Sequence, residues 1–550
     1  MSTSTTRTVW PIPGGIYPLD HKQQSLGTAI RQVPLPSQLV IALRQPSHAP
    51  AVLCVNVGDH VSKGQCLAQG SDATGLSIHA STSGTVLAIT EHAVPNESGL
   101  PELCVILQPD GENHWTKLPA LADFRNYDAA RLISRIAQAG ICGLGGGAMP
   151  SATKLRATLL NKVHTLVINA CECEPFITCD DALMQASADD IVTGIQILLH
   201  ISAANRCVFA IEDNKPAALN AMRAALTDSG IELVVVPSIY PSGAEKLLIY
   251  SLTGSEIATG TLAVEQGFLC FNVSTAHAIA RAVVHGEVLV SRITTITGSA
   301  LVNPGNYCVL LGTPINELLK HAAVDQTKVS SLIHGGSLTG IALTSNNVPV
   351  LATSACVIAS TAAEIPAAEP EQNCIRCGFC TEVCPVLLLP QQLYWASKSE
   401  QLQQATTLNL HDCIECGACS YVCPSHIPLV QYFRATKADI RIAEEKLLMA
   451  NQSRARFEFH QARKAAEKIQ EEQRRATRAT LAHQQLEQTA TPSLAQAAIA
   501  AAMARVKAKK ALQDFAATVD AASNNLTTAD SQADNTAAYL PNPDQQDDSR

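Results

Sequence analysis

Cys374-Ile375-Arg376-Cys377-Gly378-Phe379-Cys380-Thr381-Glu382-Val383-Cys384-Pro385 is followed by Cys413-Ile414-Glu415-Cys416-Gly417-Ala418-Cys419-Ser420-Tyr421-Val422-Cys423-Pro424. One spacing, C-x2-C-x2-C-x3-C-P, thus occurs twice within 51 residues of chain, Cys374 to Pro424. Three thiolates on a short loop grip three irons of one cubane, while the fourth cysteine points away and serves the cluster of the other half. The spacing therefore predicts one [4Fe-4S] cluster on Cys374, Cys377, Cys380 and Cys423. It predicts a second on Cys413, Cys416, Cys419 and Cys384. Gly378 and Gly417 fall between ligands, where a side chain would crowd inorganic sulfur. Structural zinc uses paired ligand dyads, a different pattern. Crossed ligation places two cubanes side by side, so this segment is expected to relay single electrons.

Around this module lie 550 residues, enough for three or four domains. Hydrophobic residues make up 47 % and charged residues 16 %, which allows real cores. The net charge of −9 gives nucleic acid no basic footprint to bind. Nineteen cysteines would suit a disulfide-bonded secreted protein, but Met1 to Trp10 has no basic region leading into an apolar core. A reducing compartment is expected, with Cys54, Cys66, Cys104, Cys207, Cys270, Cys308 and Cys356 as single buried residues. The most apolar run, Ile191 to Ala204, is broken by Gln196 and His200 and predicts a core helix rather than a membrane span.

Upstream, residues 1–45 are rich in Pro and Gly and predict an extended lead-in. Short strands and turns follow from Ala51 to Ile89, in two similar halves. Between 128 and about 285 the pattern alternates. Thr165–Asn169, Cys207–Ile211 and Leu233–Val236 predict buried strands, and Ala182–His200 a helix, which makes an α/β domain. Residues 290–345 turn β-rich again. The segment 433–550 is rich in Ala, Gln, Glu, Lys and Arg, and predicts exposed helices followed by disorder. Within it, Ala498–Leu512 has an apolar stripe and a basic face suited to a partner or an anionic membrane surface.

A second chemical signal is Gly143-Leu144-Gly145-Gly146-Gly147-Ala148-Met149-Pro150-Ser151-Ala152-Thr153-Lys154. Such glycines let backbone N–H groups approach a phosphate, and Lys154 would add neutralising charge. It lacks the Gly-Lys-Ser/Thr ending of a P-loop, and a glycine-rich packing turn fits it equally well. Asn169-Ala170-Cys171-Glu172-Cys173-Glu174-Pro175 then follows a buried strand, where α/β sheets place ligands. Solvated loop carboxylates are the plainer reading of Glu172 and Glu174.

Together these segments resemble the flavin subunit of respiratory complex I. They resemble more closely the C subunit of the Rnf/Rsx ion-translocating electron-transport complexes. Gly14-Gly15-Ile16, Arg31-Gln32-Val33-Pro34-Leu35, Ile211-Glu212-Asp213-Asn214-Lys215-Pro216, Tyr240-Pro241-Ser242-Gly243-Ala244-Glu245-Lys246, Asn303-Pro304-Gly305-Asn306 and Pro390-Gln391-Gln392-Leu393-Tyr394-Trp395 carry the resemblance across residues 10–440. It implies a multidomain α+β chain. Residues 1–125 would form the lead-in and a barrel-sandwich hybrid domain, and 126–285 an FMN- and NADH-binding α/β domain. A β-grasp (SLBB-like) domain would follow at 286–345, a two-cluster ferredoxin domain at 365–432, and a helical and disordered tail at 433–550. The carrier domains of barrel-sandwich type present a lysine on a hairpin; here that hairpin, Asp72-Ala73-Thr74-Gly75, has none, which removes the carrier function.

The resemblance further implies that Gly143, Gly145, Gly146, Gly147 and Lys154 cradle FMN phosphate. Asn169, Glu172, Glu174, Glu245, Asn272 and Thr275 would face flavin or NAD(H). The family has Phe and Thr where this chain has Met149 and Ser151, and Arg where it has Ala182. The function implied is an oxidoreductase subunit, peripheral on the cytoplasmic side of the inner membrane. It would pass electrons between NAD(H), flavin, two clusters, and integral membrane and iron–sulfur partner subunits. The alternatives are an iron–sulfur relay whose flavin-like domain is an empty scaffold, and a soluble NADH dehydrogenase subunit.

Overall fold

The computed structural model describes residues 9–44, 51–70, 75–488 and 494–523. Residues 71–74 of the hairpin, and the polar end expected to be disordered, lie outside them. The chain divides into two compact units, Met1–Glu444 and Glu445–Arg550.

Strands Leu39–Ala42, Glu102–Pro109, Gly84–His92 and His60–Val61 pair antiparallel in one sheet. Val52–Leu53, Cys66–Gln69 and Ile78–His79 make a second. Alternation sends Leu39, Ile41, Val61, Leu67, Val86, Val105 and Leu107 into a shared core. Three cysteine expectations fail here. Cys54 is exposed and lies against the Cys66 thiol, because it stands where the short Val52–Leu53 strand leaves its sheet. Cys66 and Cys308 are only half-buried, whereas Cys104, Cys207, Cys270 and Cys356 are buried.

The α/β domain is built on an all-parallel sheet ordered Glu232–Val236, Arg206–Glu212, Thr165–Ala170, Phe268–Asn272. In chain order this is 3-2-1-4. The strand order therefore reverses between Thr165–Ala170 and Phe268–Asn272, and a crevice opens beyond their carboxyl ends. The helix expected over 182–200 is two, Cys179–Ala186 and Ala188–Ser202. Ser187 between them leaves helical geometry (φ −141°, ψ 39°), and its carbonyl accepts the first bond of the second helix from Ile191 N–H. Serine favours that half-helical position.

A six-stranded mixed sheet follows, ordered Arg31–Gln32, Gly305–Leu310, Ser291–Thr297, Cys356–Ser360, Ser331–His334, Ile341–Ala342. Helix Ile315–His321 packs Ile315, Leu318 and Leu319 on it. One inner strand, Cys356–Ser360, lies beyond residue 345, so the boundary expected there stops short of the sheet. Helix Leu429–Gln488 continues from the cysteine module and is solvent-exposed from Arg441 onward. It carries i,i+4 pairs Arg463–Glu467 (3.4 Å) and Arg475–Glu471 (2.7 Å). The Ala498–Leu512 stripe lies on helix Leu494–Ser523, with Ile499, Met503, Val506 and Leu512 exposed. Among the described residues no helix is long and apolar enough to cross a membrane.

The lead-in is a strap rather than a free arm. Trp10 N–H donates to Ser251 (2.8 Å), Gly15 N–H to Val383 (3.0 Å), and Ile16 pairs with Tyr240 in both directions. Gly14, at φ +58°, passes so close to the Val383 backbone that a Cβ would stand 2.7 Å from it. Further on, buried Lys22 donates to the carbonyls of Glu172 (2.7 Å), Glu174 (2.9 Å) and Ile177 (2.6 Å). Lys22→Met would leave three buried or part-buried acceptors without this donor. It is expected to destabilise the protein by about 3 kcal/mol, read as a lowered Tm with the strap segment newly open to proteolysis.

Candidate functional site

The crevice at the sheet's reversal point is a cleft of about 1780 Å³, counting its open mouth. Asn169 and Asn272 stand opposite each other in register at its floor. All eleven residues singled out in the sequence line it: Gly143, Gly145, Gly146, Gly147, Lys154, Asn169, Glu172, Glu174, Glu245, Asn272 and Thr275.

The glycine loop closes on itself through Gly143 N–H to Met149 (2.8 Å) and Ala148 N–H to Gly143 (3.1 Å). Leu144 N–H donates to Thr275 Oγ1 (2.9 Å), which ties the loop to helix Val273–Val284. Gly146 has φ +109°, a conformation open to glycine alone in practice, and neither Gly146 nor Gly147 has a neighbour where a Cβ would sit. Ser151 Oγ, beside this loop, is buried without a hydrogen-bond partner among the described residues. An open glycine cradle with an unpaired hydroxyl at its edge fits a phosphate group. Lys154 Nζ pairs with Glu245 at 2.6 Å and lies 5.5 Å from the Phe271 ring.

Several of the remaining polar groups hold the walls together. Asn169 Nδ2 donates to the Gly243 carbonyl (2.8 Å), and its Oδ1 accepts from Cys171 N–H (3.0 Å). Asn272 Oδ1 caps the next helix through Ser274 N–H (2.9 Å), and its Nδ2 reaches Asp180 (2.6 Å). Glu174 accepts from Leu338 N–H (2.7 Å) and Thr339 N–H (3.1 Å), drawing the six-stranded sheet's Gly335–Gly336 turn to the cleft. Glu172 accepts from Asp180 N–H (2.8 Å) at the start of helix Cys179–Ala186. The thiols of Cys171, Cys173 and Cys179 are all pushed up by burial, so they stay protonated.

Burial also raises Glu172 to about 7, with Lys22 opposing and Asp180 adding to the shift. The folded protein then holds this proton more tightly than the unfolded chain does. The resulting stability is full below about pH 4.5 and is lost as pH rises through about 7. Wild-type protein should lose about 2–3 kcal/mol across that window through this group, and Glu172→Gln should flatten the loss. Tm measured across this pH range checks it.

The cysteines collect in the crossed arrangement. Cys384 joins Cys413, Cys416 and Cys419 around one small cavity. Cys423 joins Cys374, Cys377 and Cys380 around another. In each loop the middle glycine is left-handed, Gly378 at φ +89° and Gly417 at φ +80°, and starts the short helix carrying the third cysteine. Cys384 and Cys419 belong to one packed cluster that Cys374, Cys380, Cys413 and Cys423 join. The two cavities are therefore neighbours.

Cys416 and Ile414 also line the cleft of the α/β domain. Tyr240 binds the two together: its hydroxyl donates to the Cys416 carbonyl, and its ring packs with Ile16, Ala418 and Cys416. Spacing alone gives no hint that the second cysteine run adjoins the glycine loop, because the two are more than 260 positions apart (143 against 413).

Three family models match the chain: "RnfC Barrel sandwich hybrid domain" over residues 10–112, "Nuo51 FMN-binding domain" over 136–281 and "4Fe-4S dicluster domain" over 373–427. A phosphate-sized glycine cradle at a parallel sheet's reversal point, joined to two four-cysteine cages, defines an iron–sulfur flavoprotein. The chain belongs to the RnfC family, the C subunits of ion-translocating oxidoreductase complexes. It is 46 % identical to the family member of Serratia proteamaculans (strain 568) over 505 residues, 92 % of this chain and 70 % of the relative. The member from Yersinia pseudotuberculosis serotype O:3 (strain YPIII) is 48 % identical over 467 residues, 85 % of this chain and 67 % of the relative. A solved NAD+-reducing [NiFe]-hydrogenase in the H2-reduced state aligns with TM-score 0.44 and 19 % identity, covering 58 % of this chain and 63 % of that one.

Proposed function

We propose that this chain passes electrons between NAD(H) and the membrane redox subunits of its complex, through FMN in the cleft and then two [4Fe-4S] clusters in series. Family membership, with the FMN-binding and dicluster domains, makes it an electron-transfer subunit of an ion-translocating oxidoreductase. When bound, FMN takes a hydride's electron pair and releases electrons singly, and the clusters carry them one at a time. The observation that carries this order is the wall shared by Gly143–Lys154 and Cys416.

Gly143, Gly145, Gly146 and Gly147 would present backbone to the phosphate, with Lys154 released from Glu245 to neutralise it. Asn169, Glu172, Glu174, Asn272 and Thr275 would hold the walls at fixed spacing and Glu245 would face the ligand. Cys413, Cys416, Cys419 and Cys384 would hold the cluster next to the cleft. Cys374, Cys377, Cys380 and Cys423 would hold the one beyond it, from which electrons pass to integral membrane and iron–sulfur partner subunits. We assign residues 1–125 to the lead-in and barrel sandwich, and 126–285 to the flavin domain. The β-grasp (SLBB-like) domain runs from 286 and includes strand Cys356–Ser360, the clusters lie in 365–432, and the tail in 433–550. The chain would sit peripherally on the cytoplasmic face of the inner membrane, with ion movement left to integral subunits.

Anaerobically purified, FMN-loaded protein is expected to bleach its cluster absorbance on NADH addition. Clusters that reduce with dithionite but never with NADH would sink the proposal.

A further inference from the structure

A second cavity, of about 1150 Å³ counting its open mouth, lies where the barrel sandwich, the α/β domain and the six-stranded sheet meet. It shares only Leu144 with the walls of the flavin cleft. Ile141, Leu183, Ala278, Val288 and Leu289 give it an apolar body. Its charges are unbalanced. Asp190 and Glu287 are both answered by Arg281 (3.5 and 2.7 Å), and Glu287 also by Lys117 (2.7 Å). Burial lowers His277, which leaves it neutral.

Two further cations on the wall form no ion pair with a carboxylate among the described residues. Lys63 is only 9 % exposed, and among the described residues its ammonium makes no hydrogen bond or ion pair. Its one close contact is the face of Trp115, 4.2 Å from the ring centroid. Arg292 is 5 % exposed and is held by neutral groups alone, the carbonyls of Ile293 (3.0 Å) and Ala352 and the Cys179 thiol. Buried charges are ordinarily paired, because desolvation is costly without a counter-charge. Two buried cations on the wall of one space of mixed polar and apolar lining, with both local carboxylates paired to Arg281 or Lys117, leave the place of an anion to be filled.

We propose that this cavity binds a small organic anion, a carboxylate or phosphate head on an apolar body, with Lys63 and Arg292 receiving the head and Trp115 flanking the body. The site is separate from the flavin cleft and does not depend on how that cleft is used. Burial holds Lys63 below the ordinary lysine range, opposed by Cys308 and Glu287, as expected of an ammonium short of counter-charge.

The test titrates the full chain, loaded with FMN and clusters, with 8-anilinonaphthalene-1-sulfonate as an aromatic anionic probe. Saturable fluorescence enhancement is expected. Lys63→Gln should weaken it about tenfold and Lys63→Arg should restore it, as for loss and return of one charge-assisted contact. FMN content and cluster absorbance should match wild type in both variants. Displacement by octanoate or by phenyl phosphate assigns the head group. Absence of saturable binding, equal binding by Lys63→Gln, or displacement by neither competitor overturns the proposal.

Discussion

Gly147→Val is expected to strip FMN from the protein while leaving both clusters and the fold in place. The position separates the two effects for a steric reason. Gly147 is not in the left-handed region, and a Cβ there meets no atom within 4 Å, so the apo protein accepts a side chain. The open space is the cleft itself, beside the unpaired Ser151 hydroxyl. A valine would hold the phosphate away from the backbone N–H groups of the loop. FMN affinity should fall about 100-fold, close to 2.7 kcal/mol. Flavin released on denaturation, quantified by fluorescence against iron content, checks it. Dithionite should still reduce the clusters and NADH should not. Retention of stoichiometric FMN by Gly147→Val would place the flavin elsewhere. Gly146→Val is a poor substitute, because at φ +109° it would strain the loop and confuse loss of fold with loss of ligand.

The parts of this site legible in the sequence are those carried by local pattern. The apolar runs at Thr165, Cys207 and Leu233 fall on the observed strands. The cysteine spacing predicts the crossed grouping around the two cavities. The glycine run and the acidic Glu172–Glu174 segment meet at one cleft. What stays hidden is set by tertiary packing. No local signal reveals that Phe268–Asn272 docks beside Thr165–Ala170, yet that neighbour relation creates the crevice. The lead-in reads as an extended arm because its Pro and Gly content excludes helix. Its role as a strap depends on partners at Tyr240, Ser251 and Val383, far along the chain. Glu172 and Glu174 carry the same ambiguity. Their charge suggests ligand contact, whereas much of their hydrogen-bonding capacity goes to backbone N–H groups that shape the cleft.

Cys384→Ser should damage the cluster of the other run rather than its own. If ligation were sequential, removing Cys384 would disrupt the cage of Cys374, Cys377 and Cys380. In the folded chain Cys384 instead stands with Cys413, Cys416 and Cys419, the cage that shares Cys416 with the flavin cleft. Iron should fall from about eight to about four atoms per chain, or to about seven if a three-iron cluster survives. The lost or altered EPR signal should be the one also removed by Cys416→Ser. Cys423→Ser should reproduce the complementary loss together with Cys377→Ser. The kinetic consequences should differ as well. In the proposed series order, loss of the cage beside the cleft would block reduction of the remaining cluster by NADH, because electrons would have to pass the Cys416 loop. Loss of the farther cage would leave NADH able to reduce the near cluster and would cut only onward transfer to partner subunits. A Cys384→Ser protein whose surviving cluster is still reduced by NADH at the wild-type rate would break the series order. One that shares its spectral loss with Cys377→Ser would break the crossed ligation on which that order is built.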